Sequence, residues 1–165
     1  MLVVRGLNPL LTILRAEPND AEAILVLQKL AYQSEARLYN DWSLPPLTET
    51  IESLLSEFPG SVVLKAMSGE HIVGSVRAKA FSGVCAIGRL VVHPDFQGRG
   101  IGSQLLQHIE SSFAAVVSAY ELFTGSESEA NIRLYQRHGY SVVRTEAFSP
   151  TISLTHLRKA INAAL

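Results

Sequence analysis

A glycine-rich segment, Gln97 to Gly102, has the residue types and spacing of a ligand-binding turn. It follows a strand-like run that ends at Val92, and helical periodicity begins immediately after it. Glycines allow a sharp turn and a close approach of the backbone to a ligand. The first N–H groups of a helix have no partner within the helix, and the helix dipole favours negative charge there. The segment therefore predicts an anion site suited to a diphosphate, to which Arg99 could add a positive charge.

The glycine spacing distinguishes this segment from two common phosphate-binding motifs. Gly98, Gly100 and Gly102 alternate with other residues, and no Gly-Lys-Ser or Gly-Lys-Thr follows, as a P-loop would require. A dinucleotide-binding fingerprint belongs to an early βαβ unit, whereas three strand-like runs joined by short turns precede this segment. A glycine-rich connection without a ligand is the alternative, so the interpretation needs support from elsewhere in the chain.

A second motif lies downstream, where Asn131–Tyr135 is followed by Arg137–Tyr140. Together with Val92–Gly102, these residues resemble the two signature motifs of the GNAT acetyltransferase family, whose first motif reads Gln/Arg-x-x-Gly-x-Gly/Ala. The resemblance extends over about Ile72–Val143, and the order of the predicted elements outside this range agrees with the family. The chain is thus similar to enzymes that transfer an acetyl group from acetyl-CoA.

The resemblance implies that acetyl-CoA binds as a cosubstrate, without a metal. Backbone groups of the glycine turn would hold the pyrophosphate, and backbone groups of the preceding strand would pair with the pantetheine arm. In this family the strands that carry the two motifs splay apart, and the thioester enters the gap. The cofactor-binding residues implied in this way are Leu90, Val91, Val92, Gln97, Gly98, Arg99, Gly100, Ile101, Gly102, Ser103, Asn131 and Tyr135.

Direct acetyl transfer to an amine needs a base, a donor for the carbonyl oxygen and an acid. An alkylamine is mostly protonated at neutral pH, so its proton must leave before the nitrogen attacks. A backbone N–H near Val91 or Val92 is a candidate donor to the carbonyl oxygen. Tyr135 is predicted to protonate the leaving thiolate. The alternative for Tyr135 is an aromatic side chain that only packs against the sheet.

The sequence indicates the general base of the reaction less clearly than the general acid. Some family members carry a glutamate on the strand that leads into the first motif, but here Cys85–Arg89 contains no acidic residue. The candidates are Glu35, Asp41, Glu121 or an ordered water, and Glu35 is the predicted catalytic residue. Tyr39 and Asp41 are predicted to bind the acceptor, because the region between the first two helices commonly lines the acceptor site in this family. A solvated loop is the alternative.

The elements that position these residues follow from periodicity and turn signals. Alternating apolar residues predict strands, and helical spacing predicts helices, in the order β-α-α-β-β-β-α-β-α-β-β. Residues 33–46 are predicted to be less regular than their neighbours, and Arg77 and Lys79 are predicted to be solvated on one face of a strand. The order predicts one mixed α/β domain over residues 1–165, in which splayed strands form the acyl-CoA cleft.

Composition and charge narrow the possible partners. The 165 residues include 14 Lys and Arg against 15 Asp and Glu, with no basic stripe, so nucleic acid is not an expected partner. No apolar run predicts a membrane span, and Leu7–Leu14 is expected to lead into a strand rather than to act as a signal peptide. The single Cys85 suits a reducing, cytoplasmic compartment, and no histidine spacing indicates a metal site. The resemblance also makes a homodimer plausible.

Three functions are compatible with these motifs. The first is an N-acetyltransferase in which a primary amine, on a small molecule or a protein, attacks acetyl-CoA directly in a ternary complex. The second is a non-catalytic acyl-CoA-binding module or sensor, which the missing strand glutamate would allow but which Tyr135 disfavours. The third is an enzyme that binds nucleotide phosphates at the glycine turn.

Overall fold

The computed structural model describes residues 10–162, and a seven-stranded sheet forms its centre. The strands run in the order β1-β2-β3-β4-β5-β7-β6, and all neighbours are antiparallel except β4 and β5, which are parallel. The sheet confirms the predicted mixed α/β fold. The strands are β1 (Leu11–Arg15), β2 (Val62–Ser68), β3 (His71–Phe81), β4 (Val84–Val92), β5 (Ala119–Gly125), β6 (Ser141–Ala147) and β7 (Ser153–Ala160).

The helices and short 3-10 turns connect these strands in the predicted order, with one departure. The helices are α1 (Ala21–Ala31), α2 (Gln33–Tyr39), α3 (Pro45–Thr48), α4 (Ile51–Glu57), α5 (Ile101–Phe113) and α6 (Glu129–Arg137). Of the apolar stretch Leu7–Leu14, residues 7–9 lie outside the described part, and its end enters β1. No helix within residues 10–162 is long and apolar enough to cross a membrane.

Residues 33–46 depart from the prediction, because they contain α2 and α3 rather than an irregular loop. Asn40 ends α2 with a left-handed φ of 49°, a conformation that asparagine tolerates at helix ends. Ala36 is fully buried, so tertiary packing rather than a long apolar periodicity holds this short helix. Glu35 therefore lies in the first turn of α2 and not in a loop.

Helices cover both faces of the sheet. On one face, Leu105 and Ile109 of α5 are fully buried against β2, β3 and β4. On the other face, Ile24 of α1 and Leu54 of α4 pack against Val63. Each such side chain contributes about 1.5–3 kcal/mol when it leaves water. This packing fixes the first turn of α5 at the end of β4.

β4 and β5 pair only over their first residues and then separate. The last pair in register is Ala86 with Glu121, so the later part of β4 has no partner on that side. On its other side β4 bulges, because Ser75 pairs with Val91 whereas Arg77 pairs with Gly88. This gap between β4 and β5 matches the separation of strands that the family resemblance implies.

Cys85 lies completely buried in β4, as predicted for a packed cysteine. Burial, together with the nearby charge of Glu110, raises the pKa of its thiol to about 12. A thiol with so high a pKa carries almost no thiolate at neutral pH, so Cys85 is a poor nucleophile.

Candidate active site

The segment from Gln97 to Ser103 forms a tight turn that connects β4 to α5. Gly98 and Gly100 have φ values of 75° and 82°, in the left-handed region that glycine adopts without strain. The N–H of Gln104 donates the first helical hydrogen bond, to the carbonyl of Gly100 at 3.1 Å. The N–H groups of the three preceding residues therefore have no partner within the helix and point out of its positive end.

Three side-chain contacts hold this turn in place. Gln97 Nε2 donates to the carbonyl of Val92 at 3.2 Å. His93 Nδ1 accepts from the N–H of Asp95 at 3.0 Å, where the chain leaves β4. The hydroxyl of Ser103 lies 3.0 Å from Nε2 of His138, which ties the first turn of α5 to the end of α6. The backbone donors are thus preorganised by their own neighbours.

An open cleft of about 560 Å³ extends from this turn along the unpaired part of β4. The turn, the end of β4, α6 and the junction of α1 with α2 line it. One cavity therefore joins most of the residues that the sequence singled out. Those residues are Glu35, Leu90, Val91, Val92, Gln97, Gly98, Gly100, Ile101, Gly102, Ser103, Asn131 and Tyr135.

Positive charge at the cleft comes from α6. Arg99 does not line the cleft, and its guanidinium lies 5.0 Å from the centre of the Phe96 ring. Arg133 and Arg137 line the cleft instead. Guanidinium groups suit phosphate oxygens in charge and geometry. Both arginines fall within the second sequence motif, but sequence reasoning assigned them no separate role, because their spacing on α6 is that of ordinary exposed helix residues.

Tyr39, Asp41 and Glu121 have partners outside the lining of the cleft. The hydroxyl of Tyr39 lies 2.8 Å from Ser128 Oγ, and Asp41 accepts a hydrogen bond from Thr151 at 2.7 Å. Glu121 forms an ion pair with an arginine on β7. These contacts join α2 to α6 and β5 to β7. Tyr39 and Asp41 do not line the cleft, and their position does not favour a role in binding the acceptor. That role stays a prediction.

Two phenols lie in the cleft. Burial raises the pKa of Tyr135 on α6, and nearby Tyr32 and Glu35 raise it further. Tyr135 is therefore protonated at neutral pH and can donate a proton. Tyr32, at the junction of α1 and α2, also lines the cleft and has a pKa that burial raises. No motif marked Tyr32 in the sequence, because it looks like an ordinary residue at the end of a helix.

Glu35 supplies the carboxylate that lines the cleft. Its Oε2 accepts a hydrogen bond from Ser128 Oγ at 2.5 Å, which fixes the orientation of the side chain. Tyr32 and Tyr135 line the same cleft, and the charge of Glu35 adds to the effect of burial in raising the pKa of both phenols. A carboxylate held there can accept a proton or attract a cationic amine.

Comparisons with known proteins identify the family to which this chain belongs. The model of the acetyltransferase (GNAT) family matches residues 23–140, well over half of the chain. The chain belongs to the GNAT acetyltransferase family. An acetyltransferase of Pectobacterium atrosepticum is 29% identical over 126 residues, which cover 76% of this chain and 84% of the relative.

Solved structures share the fold of this GNAT chain at low sequence identity. The ribosomal-protein-S18-alanine N-acetyltransferase of Escherichia coli matches with a TM-score of 0.78 at 16% identity, over 94% of this chain and 96% of the other. The PaiA N-acetyltransferase of Thermoplasma acidophilum, in complex with coenzyme A, matches with a TM-score of 0.76 at 16% identity, over 92% and 99%. The arrangement of strands around the cleft is thus that of known acetyltransferases.

This acetyltransferase also carries a charged cluster on the α1 side of β4. Glu49 is buried and accepts hydrogen bonds from Arg77 at 3.2 and 3.0 Å and from Gln28 at 2.9 Å. Burial alone would raise the pKa of Glu49, but these hydrogen bonds and the charges of Arg77 and Arg89 hold it below its ordinary value. Arg77 is therefore not solvated as predicted, whereas Lys79 is.

Arg89 is the most unusual member of this cluster. It lies at the bulge in β4 with a left-handed φ of 52°, which costs a residue with a Cβ atom about 1–3 kcal/mol. Its Nε is 3.6 Å from Glu49 Oε1, too far for a hydrogen bond.

Among residues 10–162, no metal-binding group of three or more His, Cys, Asp or Glu side chains is present.

Proposed function

We propose that this chain is an N-acetyltransferase that moves an acetyl group from acetyl-CoA directly to a primary amine in a ternary complex. The observation that carries the proposal is the single cleft that joins the glycine turn to Tyr135 and Glu35. Membership of the GNAT family and the coenzyme A bound to the Thermoplasma relative support acetyl-CoA as the cosubstrate.

The glycine turn suits the diphosphate of acetyl-CoA. Its backbone N–H groups lie at the positive end of α5, and Arg133 and Arg137 add charge on the facing side. The unpaired edge of β4 leaves backbone groups available to the pantetheine arm. Asn131 donates its side-chain amide to Thr124 at 3.2 Å, which leaves the amide oxygen available to accept from the cofactor.

The remaining groups of the cleft match the steps of acyl transfer. Glu35 takes the proton of the amine, directly or through a water molecule, and the neutral nitrogen attacks the thioester carbon. A backbone N–H at Val91 or Val92 donates to the carbonyl oxygen as it gains negative charge. The C–N bond forms and the C–S bond breaks. Tyr135 donates its proton to the departing thiolate, and the second proton, which the nitrogen loses as it becomes an amide, restores the phenol through water.

A turnover assay with a panel of primary amines tests this function. The purified chain receives acetyl-CoA and each amine, and the released thiol and the mass of the product are measured. We expect stoichiometric formation of coenzyme A and an acetylated amine. In parallel, thermal unfolding with acetyl-CoA, ATP or NAD identifies the ligand that stabilises the native state. Stabilisation by acetyl-CoA without transfer to any amine would favour the sensor instead, and stabilisation by ATP or NAD alone would favour a nucleotide-binding enzyme.

We further propose that the enzyme acts as a homodimer in the cytoplasm, on an amine of a small molecule or a protein. Val142 and Val143 on the edge strand β6 are about half exposed, which suits an interface between copies. The single buried thiol of Cys85 suits a reducing compartment. Light scattering during gel filtration would give the mass of the particle, and the mass of one chain at all concentrations would contradict the dimer.

A further inference from the structure

A chain of hydrogen bonds connects Glu35 to the segment that precedes α6. Ser128 Oγ donates to Glu35 Oε2 at 2.5 Å, and the Tyr39 hydroxyl lies 2.8 Å from the same Ser128 oxygen. The N–H of Glu127 donates to the Tyr39 oxygen at 3.0 Å. Tyr39 and Ser128 are both buried, so little water competes for these bonds. A carboxylate that lines the cleft is thus connected to two hydroxyl groups that lie outside its lining.

The available protons determine the direction of each bond in this hydrogen-bond chain. A hydroxyl has one proton and a carboxylate only accepts, so the Ser128 proton points to Glu35. Tyr39 then donates to Ser128, and burial raises the pKa of Tyr39, so its hydroxyl keeps that proton at neutral pH. The Tyr39 oxygen accepts from the N–H of Glu127. Each hydroxyl therefore donates once and accepts once, and bonds arranged in this way strengthen one another.

Ser128 uses its hydroxyl for this hydrogen-bond chain and not for its own helix. It is the N-cap residue of α6, where the oxygen of a serine normally accepts a hydrogen bond from an N–H of the first turn. Within residues 10–162, the Ser128 side chain makes no such bond. The helix therefore loses the stabilisation that a serine cap gives, and the hydroxyl contacts a side chain of the cleft instead. This use of a cap residue indicates a role in the site.

The end of β5 leaves space for the Tyr39 ring. A Cβ atom added to Gly125 would overlap the Tyr39 hydroxyl and the ring carbon that bears it. Any larger residue at this position would therefore displace the hydroxyl from Ser128. The backbone of Gly125 does not have a positive φ, so the close approach of the ring, and not a turn, requires glycine here.

We propose that Tyr39 and Ser128 are positioning residues, which hold the Glu35 carboxylate in the orientation that takes the proton of the amine. This assignment rests on the proposed N-acetyl transfer and names two residues that act in it through Glu35. A glutamate side chain rotates about several bonds, and the hydrogen bond from Ser128 restricts that freedom before the substrates bind. Ser128 occupies Oε2, which leaves Oε1 for the amine or for a water molecule.

The same contact relates the proposed base to the proposed acid. Ser128 begins α6, and Tyr135 lies on that helix and lines the cleft with Glu35. A carboxylate bound to the start of α6 therefore keeps a constant position relative to the phenol that protonates the thiolate. Acid and base must both be in place for one turnover, so this coupling favours acetyl transfer.

Kinetics of single and double variants test whether Ser128 acts through Glu35. Ser128→Ala is expected to lower kcat/KM for an accepted amine about 10-fold, the order of a lost hydrogen bond to a charged group, while the KM of acetyl-CoA stays unchanged. Ser128→Thr keeps a hydroxyl and is expected to recover part of the rate. In the Glu35→Gln background, Ser128→Ala is expected to lower kcat/KM by less than about 2-fold, because residues that act as a unit are not additive.

Variants of Tyr39 break the hydrogen-bond chain one bond further from Glu35. Tyr39→Phe retains the ring but removes the donor to Ser128, and should lower kcat/KM about 3-fold, the lower range for a neutral hydrogen bond. Gly125→Ala is expected to cause at least the same loss, because it displaces the Tyr39 hydroxyl. Tyr120→Phe is the matched control, since it removes a buried hydroxyl that donates to the backbone within the core. These variants test the inference even if the serine variant folds poorly.

Crystal structures separate failure of this inference from failure of the proposed function. If no amine is acetylated, the proposed function fails, and structures of wild type and Ser128→Ala with coenzyme A still show whether the hydrogen-bond chain holds the carboxylate. We expect one orientation of Glu35 in wild type, and several orientations or a rotated side chain in Ser128→Ala. The inference is overturned if Glu35 keeps one and the same position in both structures. It is also overturned if Ser128→Ala lowers kcat/KM equally with and without the Glu35 carboxylate, because Ser128 would then act on the structure alone.

Discussion

The two ends of the cleft are built in different ways. At the cofactor end, backbone N–H groups of one continuous segment, Gln97–Ser103, supply the donors, and glycines give the turn its shape. At the other end, side chains from separate elements line the cleft, namely Tyr32 at the junction of α1 and α2, Glu35 of α2 and Tyr135 of α6. The first end is suited to a ligand that does not vary, whereas the second can change its specificity one side chain at a time.

Two parts of the protein also differ in what holds them in place: short contacts hold the glycine turn, whereas buried charges hold the cluster around Glu49. Mostly local contacts hold the glycine turn, such as the hydrogen bond from Gln97 to Val92, together with one longer-range contact between Ser103 and His138. On the α1 side of β4, by contrast, Glu49 contacts two arginines and a glutamine that are distant in the sequence. A change of charge within this cluster should therefore lower the stability of the protein and leave the glycine turn intact.

The largest effect is expected from Glu49→Gln. The change leaves two guanidinium groups without a carboxylate in a buried cluster, which should lower the free energy of unfolding at pH 7 by about 3 kcal/mol. Because the folded state holds the pKa of Glu49 below its ordinary 4.5, the carboxylate stabilises the protein above that pH. The difference between wild type and variant should therefore shrink as the pH falls below about 4.

Denaturant unfolding at pH 7 and at pH 3.5 measures this effect. Glu57→Gln is the matched control, because Glu57 pairs with the exposed Lys79 at 3.9 Å and should contribute less than about 1 kcal/mol. An equal loss of stability for both variants, or a difference for Glu49→Gln that grows toward acid, would contradict a buried, charged cluster.

The next effect is expected where the two ends meet, at Tyr135. Tyr135→Phe removes the proton donor and should lower kcat about 100-fold, the lower range for general acid catalysis, while the Kd of acetyl-CoA stays unchanged. Tyr120→Phe is the control, because the Tyr120 hydroxyl donates to the carbonyl of Glu110 within the core. Steady-state kinetics with an accepted amine measure both variants, and unchanged turnover in Tyr135→Phe would remove Tyr135 from the mechanism.

A smaller effect is expected for Glu35→Gln. Loss of the carboxylate should lower kcat/KM at pH 7 by about 30-fold, less than the roughly 100-fold minimum typical of general base catalysis, because water can accept part of the proton flux. Raising the pH should recover part of the rate, because more of the amine is then neutral without help. Rates measured from pH 6.5 to 9.5 test this, with Glu52→Gln on the exposed side of α4 as the control. An identical pH profile for Glu35→Gln and wild type would show that another group is the base.

The smallest of these effects is expected at the cofactor end. Gly100→Ala places a Cβ atom at a φ of 82° and should distort the turn, raising the Kd of acetyl-CoA about 10-fold. Gly60→Ala is the control, since a Cβ atom there meets nothing within 4 Å. Calorimetric titration measures both. If Gly100→Ala left the affinity unchanged while it lowered selectivity for the acceptor, the division of the cleft into two ends would be wrong.

The fold and the cofactor end could be predicted from sequence because their signals are local. Periodicity identified the strands and the long helices, and the glycine turn is one uninterrupted segment. α2 was missed because it has seven residues and is held by the burial of Ala36 rather than by a repeated apolar pattern. Short helices of this kind depend on tertiary contacts that no local rule contains.

The acceptor end could be predicted only in part, because its contacts are long-range. The family resemblance made Glu35 a candidate, but its hydrogen bond to Ser128 joins residues that are 93 positions apart. Arg77 looked like a solvated strand residue until Glu49 was placed beneath it. The left-handed backbone of Arg89 lies at a bulge between β3 and β4, and no sequence pattern predicts a bulge at an arginine.

A crystal structure of the protein with acetyl-CoA bound tests the central claim most directly. The account predicts that the diphosphate oxygens accept hydrogen bonds from the backbone of Gly98–Ser103 and that the thioester sulfur lies within hydrogen-bond reach of the Tyr135 hydroxyl. It also predicts that Glu35 faces the thioester across open space sufficient for an amine. A diphosphate bound away from the glycine turn, or a sulfur remote from Tyr135, would contradict it.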